Sequence, residues 1–211
     1  KKVFITAFIL FALFTSHNIF SLISIPLIIL YGMLMKNKYA WMAIVGGMIL
    51  SSYFWIPALV ELSHVHASQV ATLTKYSDHF LCPMQLWTSS WGYGGSTLGC
   101  VSDGMSFMVG KVQIIFATLG VGIFFIKLLR QKREKIDMLI ASVGIILLGS
   151  LYLVIGLSMT FWNIFHPILS IFQFPWRFLL LVIFGLAFFM SYFVARLPRL
   201  LRVISAILMI V

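Results

Sequence analysis

Phe172-Gln173-Phe174-Pro175-Trp176-Arg177-Phe178, running directly into the apolar stretch Leu179–Val194, decides how this chain is read. The stretch holds no charged residue and is close to the length that crosses a hydrocarbon core of about 30 Å at about 1.5 Å per residue. A permanent cation, Arg177, stands at its entrance. A guanidinium at the end of a transmembrane helix needs an anionic partner. Pro175 either interrupts a helix or opens one at its first turn, where its missing N–H costs nothing. In the second case, unpaired backbone N–H groups and the positive end of the helix dipole lie beside Arg177, an arrangement that favours a phosphate or carboxylate. Two other readings stand beside this one: Arg177 pairs internally with Glu61, or it snorkels to lipid headgroups.

The same apolar character extends through the chain. Of its 211 residues, 62% are hydrophobic and 9% charged, and the mean hydropathy is +1.07. A soluble domain must cover itself with polar groups, which this composition cannot supply. The fold class is therefore all-α, a polytopic transmembrane helical bundle. Seven spans are expected, the first and last partial: 3–14, 19–35, 40–59, 112–129, 138–158, 177–195 and 203–211. The chain starts at Lys1 and stops inside an apolar run, so it reads as a fragment of a longer protein. Lys1-Lys2 ahead of apolar residues resembles a signal peptide, but no small-residue cleavage site follows. No repeat, heptad run or linker divides the chain, and 1–211 reads as a single transmembrane domain with a long outer loop, 60–110.

The net charge of +10 does not point to nucleic acid, because the basic residues fall at span ends and not on a soluble patch. Lys1, Lys2, Lys36, Lys38, Lys127, Arg130, Lys132, Arg133, Lys135, Arg196, Arg199 and Arg202 all fall on one side of the alternating spans, leaving only Lys75, Lys111 and Arg177 for the other. By the positive-inside rule the basic segments face the cytoplasm of a multi-pass protein of the cell membrane. Residues 60–110 and 158–176 are then extracytoplasmic. Glu134 and Asp137, among the inner basic residues, read as ordinary anchors.

The outer side carries His17, Asn18, Glu61, His64, His66, Asp78, His79, Asp103 and His166. Glu61-x-x-His64 has the spacing of carboxylate-bridged metal sites on one helix face, and His66 would add a ligand. A second such motif is missing, so no metal site is assigned, no cofactor is evident and a divalent metal is without support. Cys82 and Cys100 lie in the outer loop, where a disulfide is permitted; two unpaired thiols are the alternative. Trp91-Gly92-Tyr93-Gly94-Gly95-Ser96 lacks the Gly-Lys-Ser/Thr ending and preceding strand of a phosphate loop. Its glycines suit tight turns, with Trp91 and Tyr93 at the membrane interface or stacked on sugar rings.

Ser16-His17-Asn18, Phe54-Trp55-Ile56-Pro57-Ala58-Leu59-Val60-Glu61, Trp91–Ser96 with Asp103-Gly104-Met105-Ser106-Phe107, and Gln173–Phe178 occur in that order. Together, over most of the chain, they resemble the bacterial and archaeal integral membrane proteins of the 6-pyruvoyl-tetrahydropterin synthase-related family. The label is a poor guide to chemistry: a pterin synthase is a soluble zinc enzyme, and no three-histidine site appears here. The resemblance implies a GT-C-like architecture, that of multi-span glycosyltransferases acting on the outer membrane face with a polyprenyl-phosphate-linked sugar. It implies membrane lipids and that donor as partners. Arg177 and Trp176 would lie at the carrier phosphate. Glu61, His17 and Asn18 would orient sugar hydroxyls or, for Glu61, hold Arg177, and Trp91 and Tyr93 would stack on the glycan. The reaction implied is displacement at the anomeric carbon with a carboxylate base on the acceptor hydroxyl. That carboxylate usually sits in the first outer loop, upstream of Lys1, so no catalytic residue is assigned. A transporter or flippase is a second reading, against which no expected span carries an ionisable residue near its middle. A non-catalytic membrane assembly component is a third.

Overall fold

The computed structural model describes residues 1–64, 75–96, 99–100, 104–130 and 134–208. His66, Asp103, Lys132 and Arg133 lie outside the described residues. The described chain is helical, and its one extended pairing is an isolated parallel bridge between Leu81 and Ile155. Where the sequence reading sees one transmembrane domain without a linker, packing divides the chain into two compact units, Lys1–Thr74 and Lys75–Val211.

The first unit contains α1 (Lys2–Ser16), α2 (Asn18–Met35), α3 (Lys38–Leu50) and α4 (Ser52–Val60), followed by a 3-10 turn, Glu61–His64. His17 adopts an extended conformation, φ −164°, and separates α1 from α2. The Ser21 hydroxyl closes this corner by donating to Phe14 O at 3.0 Å and His17 O at 2.9 Å. α1 packs on α3 through small residues. A Cβ at Gly47 would lie 2.7 Å from Leu10 Cβ and 3.1 Å from Ala7 O, so only glycine permits this approach, the usual device of helix pairs in a medium as apolar as their own side chains. Between α3 and α4 the chain bends by 60° at the fully buried Ser51. The Met48 carbonyl released by the break accepts the Trp55 indole at 3.0 Å, and Ser51 Oγ adds a bond of 2.9 Å to Gly47 O, which already holds the Ser51 backbone N–H. A side chain inserted into the helical ladder is a recognised cause of such a kink.

The second unit adds α5 (Pro83–Trp87), α6 (Lys111–Arg130), α7 (Lys135–Val154), the short α8 (Met159–Ile164) and α9 (His166–Leu169), α10 (Leu179–Val194) and α11 (Arg199–Leu208). Its core is α10 packed against α6 and α7. A Cβ at Gly120 on α6 would overlap the Phe189 carbonyl oxygen and lie 2.9 Å from the Phe189 carbonyl carbon; one at Gly185 on α10 would lie 2.7 Å from Leu147 Cβ. Phe189, Val182 and Leu147 fill the space between. At the α6–α7 connection Asp137 is more than a surface anchor. It is buried, receives Lys127 Nζ at 2.6 Å and the Glu134 backbone N–H at 2.9 Å, and so ties the end of α6 to the start of α7.

Three helices are long and apolar enough to cross a membrane: Lys111–Arg130, Ile136–Val154 and Pro175–Val194. The bent pair Lys38–Leu50 and Ser52–Val60 makes a fourth if counted as one span. The seven expected spans therefore reduce to three or four by length and composition among the described residues. Helices do form at 3–14 and 19–35, but Lys2–Ser16 and Asn18–Leu34 are shorter apolar helices, because the corner at His17 cuts them apart. Over 203–211 the described helix is the ten-residue α11, Arg199–Leu208.

Candidate functional site

The expected helix start at Pro175 is a 3-10 turn, Pro175–Phe178, and the α-helix proper begins at Leu179. Immediately before it, Gln173 holds φ 58° and ψ −50°. The Phe174 N–H donates across it to Phe172 O at 2.6 Å, which makes a γ-turn centred on Gln173. This is a strained conformation for a residue with a side chain. The Phe172 oxygen accepts a second hydrogen bond, from Arg177 Nη1 at 2.8 Å. The guanidinium thus buckles the turn from below. Its carbon stands 4.9 Å from the centroid of the Phe174 ring and 5.9 Å from that of Trp176, and those two rings stack at 5.5 Å with 12° between their planes.

Two details of the expected anion site change. The Arg177 backbone N–H donates to Phe174 O at 3.1 Å, so it is consumed by the 3-10 turn and not left for a ligand. The side chain, in contrast, keeps most of its five N–H donors without a protein acceptor among the described residues, where the ion pairs are those of Lys127 with Asp137 and Glu134. The Trp176 indole N–H is also buried without a hydrogen-bond partner there.

Three segments of the 75–110 stretch converge on this turn. The 3-10 turn Tyr76–His79 brings the His79 ring edge-on to Phe174, with centroids 4.7 Å apart. His79 Nδ1 is 2.6 Å from Ser96 Oγ. Tyr76 stacks on the fully buried Trp162 at 5.3 Å, meets the His166 ring at 5.5 Å and donates its hydroxyl to Asn163 Oδ1. These contacts are rooted at the end of α7, whose last carbonyls are capped by the Trp162 indole (to Leu153 O, 3.1 Å) and the Leu81 N–H (to Val154 O, 3.0 Å), as helix ends require. Further along, the Phe107 N–H donates to Ser89 Oγ at 3.0 Å, and the Phe107 ring lies 6.1 Å from Trp176.

Cys82 and Cys100 are joined as a disulfide, with Cα atoms 5.8 Å apart. Near it the glycine-rich stretch doubles back on itself: a Cβ at Gly104 would overlap Gly95 O and lie 3.1 Å from the carbonyl carbon of Gly94. Trp91 and Tyr93 are displayed on this loop, 72% and 103% exposed, and are not brought against Arg177. His17 serves as the N-cap of α2, its Nδ1 3.5 Å from the Phe20 N–H; Asn18 is the first residue of that helix, and Glu61 is exposed at the start of its 3-10 turn. These three belong to the first unit, and Arg177, Trp176, Trp91 and Tyr93 to the second. Among the described residues no group of three or more His, Cys, Asp or Glu side chains is placed to hold a metal ion.

Comparison with protein-family models, with curated proteins and with solved structures yields no match. The functional reading rests on the chemistry of the chain itself. Sequence reasoning singled out Arg177 and Trp176 but not Phe174, Tyr76 or His79 as their neighbours. An aromatic or histidine in a loop has no periodic signature; only the packing of the 76–80 turn against Phe174 and Trp162 identifies it.

Burial pushes the His79 imidazole below its ordinary value of 6.5, against the opposing pull of the Asp78 carboxylate. The folded state then binds a proton less readily than the unfolded chain, so its stability rises with pH across this interval. The contribution is fully present above about pH 6.5 and is lost as the pH falls from there through the lower folded value. A melting temperature that falls between pH 7 and pH 5, with the slope reduced in His79→Gln, is the expected result. Identical slopes for the two proteins would show that His79 does not couple to folding.

Proposed function

We propose that this chain is part of a helical membrane protein that binds a lipid-linked phosphate through Arg177 at the outer membrane face, acting as a glycosyltransferase-like protein on a polyprenyl-phosphate-linked sugar. One observation carries the reading. Arg177 opens a segment long enough to cross a membrane, Pro175–Val194, yet is held by a carbonyl and two aromatic rings and not by a carboxylate among the described residues. Such a holder orients the planar guanidinium without neutralising it, and a phosphate accepts its fork of donors in a bidentate way. The buried Trp176 indole N–H is a second donor next in sequence. Trp91 and Tyr93, exposed on a loop stapled by the disulfide, offer π-faces to the sugar. In this reading the basic segments face the cytoplasm, 60–110 and 158–176 lie outside, and no catalytic carboxylate is assigned.

A second reading is favoured by the Arg177–Phe172 bond itself: the arginine serves only to lock the γ-turn. Binding of a short-chain polyprenyl phosphate to the purified full-length protein in nanodiscs separates the two. Hydrogen bonds to charged groups contribute about 1.5–3 kcal/mol, so Arg177→Ala is expected to weaken binding by about tenfold or more, and Arg177→Lys, which keeps the charge but not the fork, to retain part of it. Unchanged phosphate affinity in Arg177→Ala, with a lowered melting temperature, would leave the purely structural role standing.

A further inference from the structure

We infer that Gly156–Phe172, of which 158–172 was expected from the sequence to be part of an extracytoplasmic loop, lies in the plane of the membrane with one face in the hydrocarbon of the lipids. The segment is built of short helical pieces, Gly156–Ser158, α8, α9 and Ser170–Phe172. No Asp, Glu, Lys or Arg occurs between Gly156 and Trp176, an unusual composition for a stretch facing water. Among its exposed side chains the largest apolar ones recur at alternating intervals of four and three, Leu157 (78%), Phe161, Ile164 (67%), Ile168 (63%) and Ile171 (56%), with Met159 and Phe165 exposed beside them and Thr160, Asn163 and His166 the exposed polar ones. That is the periodicity of one helical face. The opposite side is fastened to the protein. Ser158 and Trp162 are fully buried, Leu169 nearly so, and the Ser158 hydroxyl and Trp162 indole both donate to Leu153 O at the end of α7. On a third side Asn163 and His166 hold Tyr76.

The occupant of the exposed stripe follows from its surroundings. Both ends of the segment run into helices long and apolar enough to cross a membrane, one ending at Val154 and the next beginning at Pro175, so the segment sits where those helices meet the membrane boundary. A cluster of exposed large apolar side chains marks a contact surface, and the absence of Asp, Glu, Lys and Arg from the segment matches acyl chains better than a water-facing protein partner. An apolar face lying along the headgroup–acyl junction is the geometry of interfacial helices. The stripe ends at Ile171, just ahead of Arg177, which is thereby set near headgroup depth. The inference stands whether or not Arg177 binds a phosphate.

Nitroxide labels on single cysteines introduced as Ile164→Cys and Ile168→Cys in the full-length protein, reconstituted in phosphatidylcholine nanodiscs, test it. The native cysteines are paired and do not compete for label. Oxygen, which partitions into hydrocarbon, should relax both labels severalfold more than a water-soluble nickel chelate, and a label at Tyr93→Cys should show the reverse. Preferential relaxation by nickel at 164 and 168 would place the stripe in water, and protection from both agents would place it under protein. Either overturns the inference. Leu157→Cys, at the most exposed position of the stripe, provides a third site if one of the others perturbs folding.

Discussion

Gly120→Ala is expected to destabilise the second unit more than any other single methyl group added to its helices. The new Cβ would overlap the Phe189 carbonyl oxygen and lie 2.9 Å from the carbonyl carbon. These are backbone atoms of α10, so no rotamer change relieves the clash, and α6 must move away from α10. The movement loosens the packing of Phe124, Phe189 and Val182, all buried where these helices meet. Overpacking typically costs about 1–3 kcal/mol, and a backbone obstacle places this case toward the upper end. The gain from replacing glycine by alanine in a helix, at most about 1 kcal/mol, offsets only part. Gly122, two residues along the same helix, has nothing within 4 Å of its ideal Cβ, and Gly122→Ala should be neutral or slightly stabilising. Denaturation of the two variants in detergent gives the comparison. Equal midpoints would mean that α6 and α10 do not approach at Gly120.

Removing the disulfide with Cys82→Ser and Cys100→Ser should loosen the 82–109 loop while leaving the three long helices intact. The bridge closes a loop with a sequence separation of 18. A crosslink over a loop of about this length stabilises by about 3 kcal/mol through the entropy it removes from the unfolded chain. The energy is local, because residues between the cysteines make the contacts that tie the loop to the stretch after Cys100: the Gly104–Gly95 approach and the pairing of Ser89 with Ser106 and Phe107. Amide exchange reports on it directly. The N–H groups of Phe107 and Val109, bonded to Ser89 Oγ and Leu86 O, should exchange faster in the double variant, and those of α6 and α10 should not. Unaltered exchange at Phe107 would show that the loop is held by its hydrogen bonds alone.

Much of the helical layout was legible because hydrophobic length is a local property. The stretches read as spans 112–129, 138–158 and 177–195 meet helices that pass the length and apolarity test in the structure, the second of them ending at Val154 and not at 158, while the count of seven did not carry over. The break between spans 3–14 and 19–35 was legible and falls at His17, but the 60° bend at Ser51, where the Trp55 indole reaches the Met48 carbonyl, lies inside the apolar run read as span 40–59, which does not reveal it. Arg177 was conspicuous for the same local reason, a charge at the entrance of an apolar run. Its actual holders were not: the γ-turn at Gln173 arises from the positive φ of a residue that rarely adopts one, and Phe174 carries no sign that its ring lies beside both Arg177 and His79.

The sequence by itself determined that this chain is helical, too apolar for a water-soluble domain, and marked by one cation before a long apolar run, since composition and periodicity alone set those properties. Only the tertiary structure decided that α6 and α10 touch at a glycine, that Asp137 is buried on Lys127, and that a stretch expected to be a loop exposes a cluster of large apolar side chains. Each of these depends on which surfaces of separate helices meet, and that is settled by packing between residues far apart in the chain, where local pattern carries no information.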